Sequence, residues 1–179
     1  MTTERARQRA VALDSKTSQQ LSDRPLGPAR EVFRGIRAYL LRRSEEINER
    51  NNAFALLKFH SSKGAAQIDL GPTIDKGQTK DHFRFDSGAR LCFGLTLREV
   101  EKGSELVAFR YHYTFPDGHS VKFLRFDLND EAHPDPLAEP RCHLHPGIDD
   151  LRLPFSVHDP IEILDRIFFA LENTTDQNG

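Results

Sequence analysis

Tryptophan is absent from this sequence, methionine occurs once and cysteine only twice, and each scarcity narrows what the chain is built from. Aromatic packing falls to 13 Phe and 3 Tyr. Cys92 and Cys142 stand in separate segments and form no CxxC pair, so they read as reduced, buried thiols of a cytoplasmic protein. No stretch approaches ~18 consecutive apolar residues, and no transmembrane helix is expected. The first twelve residues mix Glu4, Arg5, Arg7 and Arg9 with small residues and hold no apolar core, so no secretory signal is expected either. Charge of one sign is also missing. The formal net charge is −2 and the pI near 6.4, so nothing global draws the chain to nucleic acid or membrane, and any basic surface must be local. There is no P-loop, GxGxxG, GxSxG or zinc-finger spacing.

What is present reads as one α+β domain. Hydrophobic residues make up 37% and charged residues 29%, the balance expected of a normal core flanked by polar ends. Residues 1–27 form a polar arm expected to be disordered, residues 28–173 the domain, and 174–179 a disordered tail. Val32, Phe33, Ile36, Tyr39, Leu40 and Ile47 recur at helical spacing and predict an amphipathic helix over about residues 29–50. Its other face carries Arg30, Arg34, Arg37, Arg42, Arg43 and Arg50. The period then changes to two. Strands are expected over 53–60, 65–70, 80–86, 91–100, 105–115, 120–128 and 142–145. The result is a mostly antiparallel sheet of about five to seven strands. Asp159 as N-cap, Pro160 at the first helical position and Glu162 three residues on predict a closing helix with Ile161, Leu164, Ile167, Phe168 and Leu171 inward. The two helices are expected to cover one sheet face.

The register can be argued. Asp117-Gly118 is a strong two-residue hairpin signal, which sets Tyr111 opposite Leu124, Phe109 opposite Phe126 and Arg110 opposite Arg125. A three-residue turn at Lys102–Ser104 sets Leu95 opposite Tyr111 and Leu97 opposite Phe109. A four-residue turn would oppose Leu95 to Arg110. The first choice gives an apolar face of Phe83, Phe85, Leu95, Leu97, Phe109, Tyr111, Leu124 and Phe126. The opposite face then holds His82, Arg84, Thr96, Arg98, Arg110, His112, Arg125 and Asp127, with His143 and His145 joining it if their strand pairs alongside.

One polar face is ordinary for an antiparallel sheet. Arginines set across from one another are not, because like charges directly opposite are unfavourable, and an anion would relieve them. His143 and His145, at i and i+2, point to one side of a strand, as an acid–base pair or a metal site requires. Metal would need further ligands from Asp127, His112, His119 or His133, whose spacing follows no metal motif, so no metal or cofactor is assigned. Tyr111, Tyr113 and Phe115 could offer base stacking, with Tyr111 better suited to the core. The helix arginines form a second basic surface, which helices also carry simply for solubility.

The run Arg110-Tyr111-His112, Asp117-Gly118 and Leu124-Arg125-Phe126-Asp127 is followed by Ala132-His133-Pro134 and by Cys142-His143-Leu144-His145. Over about residues 108–170 this pattern resembles the small TumE-type bacterial toxins. The resemblance implies a toxin-like protein with RNA as target and an antitoxin as partner, and carries over Arg110, His112, Arg125, Asp127, His133, His143 and His145. The family's doubled histidine is a single His133 here, and an arginine-rich helix and further strands precede the shared part. Two functions follow as expectations. One is a metal-independent endoribonuclease, with His143 and His145 as acid and base, His112 assisting, and His82, Arg84, Arg98, Arg110, Arg125, Asp127 and His133 binding. The other is a non-catalytic module docking protein or nucleic acid in a prokaryotic defence complex.

Overall fold

The computed structural model describes residues 26–43, 53–71, 82–130, 141–156 and 159–171. Ile47, Arg50, His133, most of the 1–27 arm, the 174–179 tail and the segment joining the second and third strands lie outside them. Helix α1 spans Ala29–Arg42 and a short helical turn, α2, spans Ala53–Leu56. The strands are β1 (Leu57–Ser62), β2 (Ala65–Leu70), β3 (Phe83–Arg84), β4 (Arg90–Val100), β5 (Gly103–Thr114), β6 (Phe123–Leu128), β7 (Cys142–Pro146) and β8 (Leu153–Pro154). They form one eight-stranded antiparallel sheet in the order β1-β2-β4-β5-β6-β7-β8, with β3 pairing β4 beyond the end of β2. Helix α3 (Pro160–Asp165) follows and continues as a π-helical turn, Arg166–Leu171. The α+β class is as expected. No helix among the described residues is long and apolar enough to cross a membrane.

Residues 53–56 depart from the expected first strand. Ala-Phe-Ala-Leu favours a helical turn, and Phe54 sets its ring edge-on to Phe83, with centroids 6.1 Å apart. The closing helix starts as predicted: the Asp159 carboxylate accepts a hydrogen bond from the Ile161 N–H at 2.8 Å, with Pro160 next to it.

Both hairpin registers differ from expectation, and both keep the expected faces. Across β5 and β6, Tyr111 opposes Phe126, Phe109 opposes Leu128 and Arg110 opposes Asp127, a shift of two residues. Pro116 explains it. A two-residue loop at Asp117-Gly118 needs an N–H at position 116 for the ladder, and proline has none. The strands instead close at the Phe115 N–H to Lys122 carbonyl bond, 3.0 Å, and a tighter turn carries Pro116 to His119.

Between β4 and β5 the turn is Glu101-Lys102, with Val100 opposite Gly103. Left uncorrected, that register would oppose Leu95 to Ala108. A bulge intervenes: Leu97 pairs Leu106 and Thr96 pairs Ala108, leaving Val107 as the extra residue. Arg141 donates to the Val107 carbonyl at 2.9 Å and to the Asn129 carbonyl at 2.7 Å, so a side chain takes up the carbonyl at the bulge. Beyond the bulge Leu95 opposes Phe109 and Phe93 opposes Tyr111. Leu95 therefore lies on the Tyr111 side of the sheet, and Arg110 opposes Gly94.

The apolar face joins residues from both helices in one buried cluster, including Ile36, Leu40, Ile68, Leu95, Tyr111, Leu164 and Phe168. Buried polar atoms are tied off within it. The Tyr111 hydroxyl donates to the Pro160 carbonyl at 2.9 Å and the Tyr39 hydroxyl to Asp165 at 2.6 Å. Tyr111 is buried in the core as expected, and Tyr113 and Phe115 are buried with it, which removes the base stacking these two could have offered.

Candidate functional site

Three adjacent strands place six polar side chains in two rungs on the face opposite the apolar core. Arg110, Asp127 and His143 face one another across β5, β6 and β7, and His112, Arg125 and His145 form the next rung. The two arginines thus sit on a diagonal, with Asp127 beside both.

Asp127 is the hub. Its Oδ1 accepts from Arg110 Nε at 3.1 Å and its Oδ2 from Arg125 Nε at 2.7 Å. His145 Nε2 stands 3.4 Å and His143 Nε2 3.7 Å from Oδ2. The side chains of Asp127, His143 and His145 are 4%, 2% and 1% exposed, against 17% for Arg125 and 44% for Arg110. Arg125 also binds Asp149, a residue the sequence reading passed over because it lies in the turn after β7. The two imidazoles meet edge-on, with centroids 4.8 Å apart.

Expected binding residues divide accordingly. Arg110, Arg125 and Asp127 are brought together with His112, His143 and His145. His82 reaches this group electrostatically, through His112. Arg98 is elsewhere, paired with Glu105 at 3.8 Å. Arg84 is exposed on the edge strand β3. The expected repulsion between facing arginines does not arise, since Asp127, Asp149 and Glu105 each stand beside a guanidinium.

A shallow cavity of about 260 Å³ opens beside Arg110, between β2, β4, β5 and β6. Its polar lining includes Asp69, Asp127 and Asp130 against the single guanidinium of Arg110, so it disfavours phosphate. Gly94 makes room there: a Cβ at this position would stand 3.0 Å from Asp69 Oδ1. Burial raises the Asp69 pKa above the usual carboxylate range, while a hydrogen bond from Gln67 acts the other way.

His112 and His145 are shifted towards their neutral forms. Burial and then the Arg125 charge depress His112 from 6.5 to about 4, and the same two causes lower His145. A pH dependence of stability follows. Below pH 6.5 the unfolded chain takes up a proton at His112 that the folded chain refuses until about pH 4, so stability falls as pH falls across that window. At ~1.4 kcal/mol per pKa unit the effect approaches 3 kcal/mol. Urea midpoints between pH 7.5 and pH 4 should show this loss, and His112→Gln should reduce its slope, leaving the part His145 contributes. An unchanged slope in the variant would show that His112 is not the group responsible. Burial also pushes the Cys92 thiol up to about 11, an unreactive group, and both cysteines are buried and outside any disulfide.

Compared with known protein families, with curated proteins and with solved structures, the chain matches none.

Proposed function

We propose that this chain is a nucleic-acid-binding module with RNA as its ligand, and that helix α1 makes the contact. The observation that carries this reading is a contrast between two sets of arginines. On the sheet, Arg98, Arg110 and Arg125 are each set against a carboxylate. On α1, Arg30, Arg34 and Arg37 stand at i, i+4 and i+7 and form an exposed stripe, with Arg42 exposed to one side of it. No carboxylate among the described residues forms an ion pair with Arg34, Arg37 or Arg42, and the acidic residue of the first turn is Glu31 alone. The Arg30 guanidinium lies over the Phe59 ring, with Cζ 5.5 Å from its centroid, which orients the group while the residue stays exposed. Guanidinium groups repeated along one exposed helix face suit a phosphate backbone.

Binding rather than cleavage is assigned because acid–base catalysis would need His143 and His145 to reach a 2′-hydroxyl. At 2% and 1% exposure neither is open to an RNA strand lying on this face. The setting implied by the TumE-type resemblance, a toxin–antitoxin or defence assembly, accommodates a binding subunit.

Fluorescence anisotropy with a single-stranded RNA tests the reading. With three or four phosphate contacts, affinity should fall roughly 20- to 50-fold between ~50 and ~200 mM salt. Arg30→Gln/Arg34→Gln/Arg37→Gln should remove most of the binding and most of the salt slope, at a stability cost within about 0.5 kcal/mol per substitution. Salt-independent affinity, or full affinity in the triple variant, would exclude α1 as the contact. RNA should stay intact in EDTA. Cleavage lost in His143→Ala/His145→Ala would restore the endoribonuclease assignment.

A further inference from the structure

We infer that Asp127, His143 and His145 form a binding site for a divalent transition cation of the zinc type, separate from the helix that carries the RNA proposal. Three independent features of the cluster point there, beginning with geometry. One oxygen and two nitrogens, from two neighbouring strands, lie within 4.8 Å of one another. The two nitrogen-to-oxygen separations are 3.4 and 3.7 Å. Ligands bound tetrahedrally at about 2.0–2.1 Å from zinc stand roughly 3.3 Å apart. The two oxygen–nitrogen separations already come within a few tenths of an ångström of that spacing, and the two imidazole nitrogens, within 4.8 Å of each other, draw in by a side-chain rotation to complete it. Strand periodicity supplies the placement: residues 143 and 145 project to one side of β7, and β6 sets Asp127 directly opposite His143.

The second feature is an unmet polar demand. Both ring nitrogens of His145 are buried on a side chain 1% exposed, and neither makes a well-formed hydrogen bond, although the Asp149 backbone approaches the ring. Burying an imidazole nitrogen without a partner is costly, and a metal bond on Nε2 satisfies it. The 3.4 Å approach to Asp127 is too long and too poorly directed to do so. The third feature is the support around the carboxylate. Arg110 and Arg125 hold Asp127 through both oxygens, as outer partners hold a ligating carboxylate.

Donor chemistry selects the ion. Two imidazoles and one carboxylate suit Zn²⁺ and its first-row neighbours, and disfavour Mg²⁺ and Ca²⁺, which take oxygen ligands. Three protein ligands leave a fourth position. With neutral imidazoles, Asp127 and Asp149 balance Arg110 and Arg125, so the dication leaves the centre positive and that position takes hydroxide or a small anion.

Chelator-stripped wild-type protein titrated with Zn²⁺, and separately with Co²⁺, tests this. Calorimetry should give about one equivalent per chain, Mg²⁺ should not compete, and Co²⁺ should develop the visible absorption of a low-coordinate site. His145→Ala should weaken Zn²⁺ binding at least tenfold, whereas His60→Ala and His119→Ala should leave it unchanged. Uptake below about half an equivalent by the wild-type protein would overturn the inference. So would undiminished uptake by His145→Ala, since the ion would then sit at other histidines. Should His145→Ala fail to fold, the wild-type titration decides alone, with a Zn²⁺-dependent rise in Tm as the second readout.

Discussion

Asp127→Asn is expected to cost about 3 kcal/mol of stability, the low end for removing one member of a buried ion pair. The amide keeps the shape and removes the charge. Arg125, whose side chain is 17% exposed, then loses its 2.7 Å partner and retains only Asp149, itself 67% exposed. Arg110 matters less, because at 44% exposure water can take over its charge. For a chain of this size the loss corresponds to a fall in Tm of about 6–12 °C. Arg98→Ala is the control. It breaks a 3.8 Å pair whose members are 52% and 36% exposed, and should cost less than about 0.5 kcal/mol. Urea unfolding of the two variants side by side gives the comparison. An Asp127→Asn variant within about 1 kcal/mol of wild type would mean that the rungs do not act as one network.

That network was only half legible in the sequence. Which residues share a face was readable, because strand parity survives any even shift, and both hairpins differ from expectation by two positions. The partners themselves were not readable, for local reasons. Asp117-Gly118 is a strong turn signal, yet Pro116 forbids the two-residue loop it suggests. Attention to the missing donor would have moved Asp127 from beside Arg110's neighbour to directly opposite Arg110. Val107 gives no comparable warning. A valine in a β-branched run looks like any strand residue, and its role as the bulge depends on Arg141, from a segment 34 positions away.

Burial of the histidine pair was hidden for a different reason. His143 and His145 were read on a solvated face, but β7 is followed by β8, which sets Pro154 beside His143. Asp149 is brought onto Arg125 from the same region. A two-residue strand after Pro146-Gly147 has too few residues to show a period. The consequence reaches chemistry: the same i, i+2 spacing that suggested an exposed acid–base pair becomes a buried pair set against Asp127.

Gly103→Ala should be the most damaging single methyl in the described fold. Gly103 has φ +138°, and a Cβ built on it would lie 2.0 Å from the Leu26 carbonyl oxygen, a backbone atom that cannot swing aside. The approach is close because Leu26 is strapped to the next residue. Its N–H donates to the Ser104 carbonyl at 2.8 Å, its carbonyl accepts from the Ser104 N–H at 3.0 Å, and the Ser104 hydroxyl donates to the Gly27 carbonyl at 2.7 Å. Ser104 is fully buried, so losing the strap strands its polar atoms. The strap also fixes the start of α1, two residues further on. The expected cost is therefore above about 3 kcal/mol, the range reached when steric overlap and lost buried hydrogen bonds combine. Gly118→Ala separates overlap from backbone strain. Gly118 has φ +92° and nothing within 4 Å of its built Cβ, so it should lose only about 1–2 kcal/mol. Urea midpoints rank the two, and hydrogen exchange at the Leu26 and Ser104 amides reports the strap directly. If Gly103→Ala is no worse than Gly118→Ala and both amides stay protected, the Leu26 strap is not what requires glycine at the start of β5.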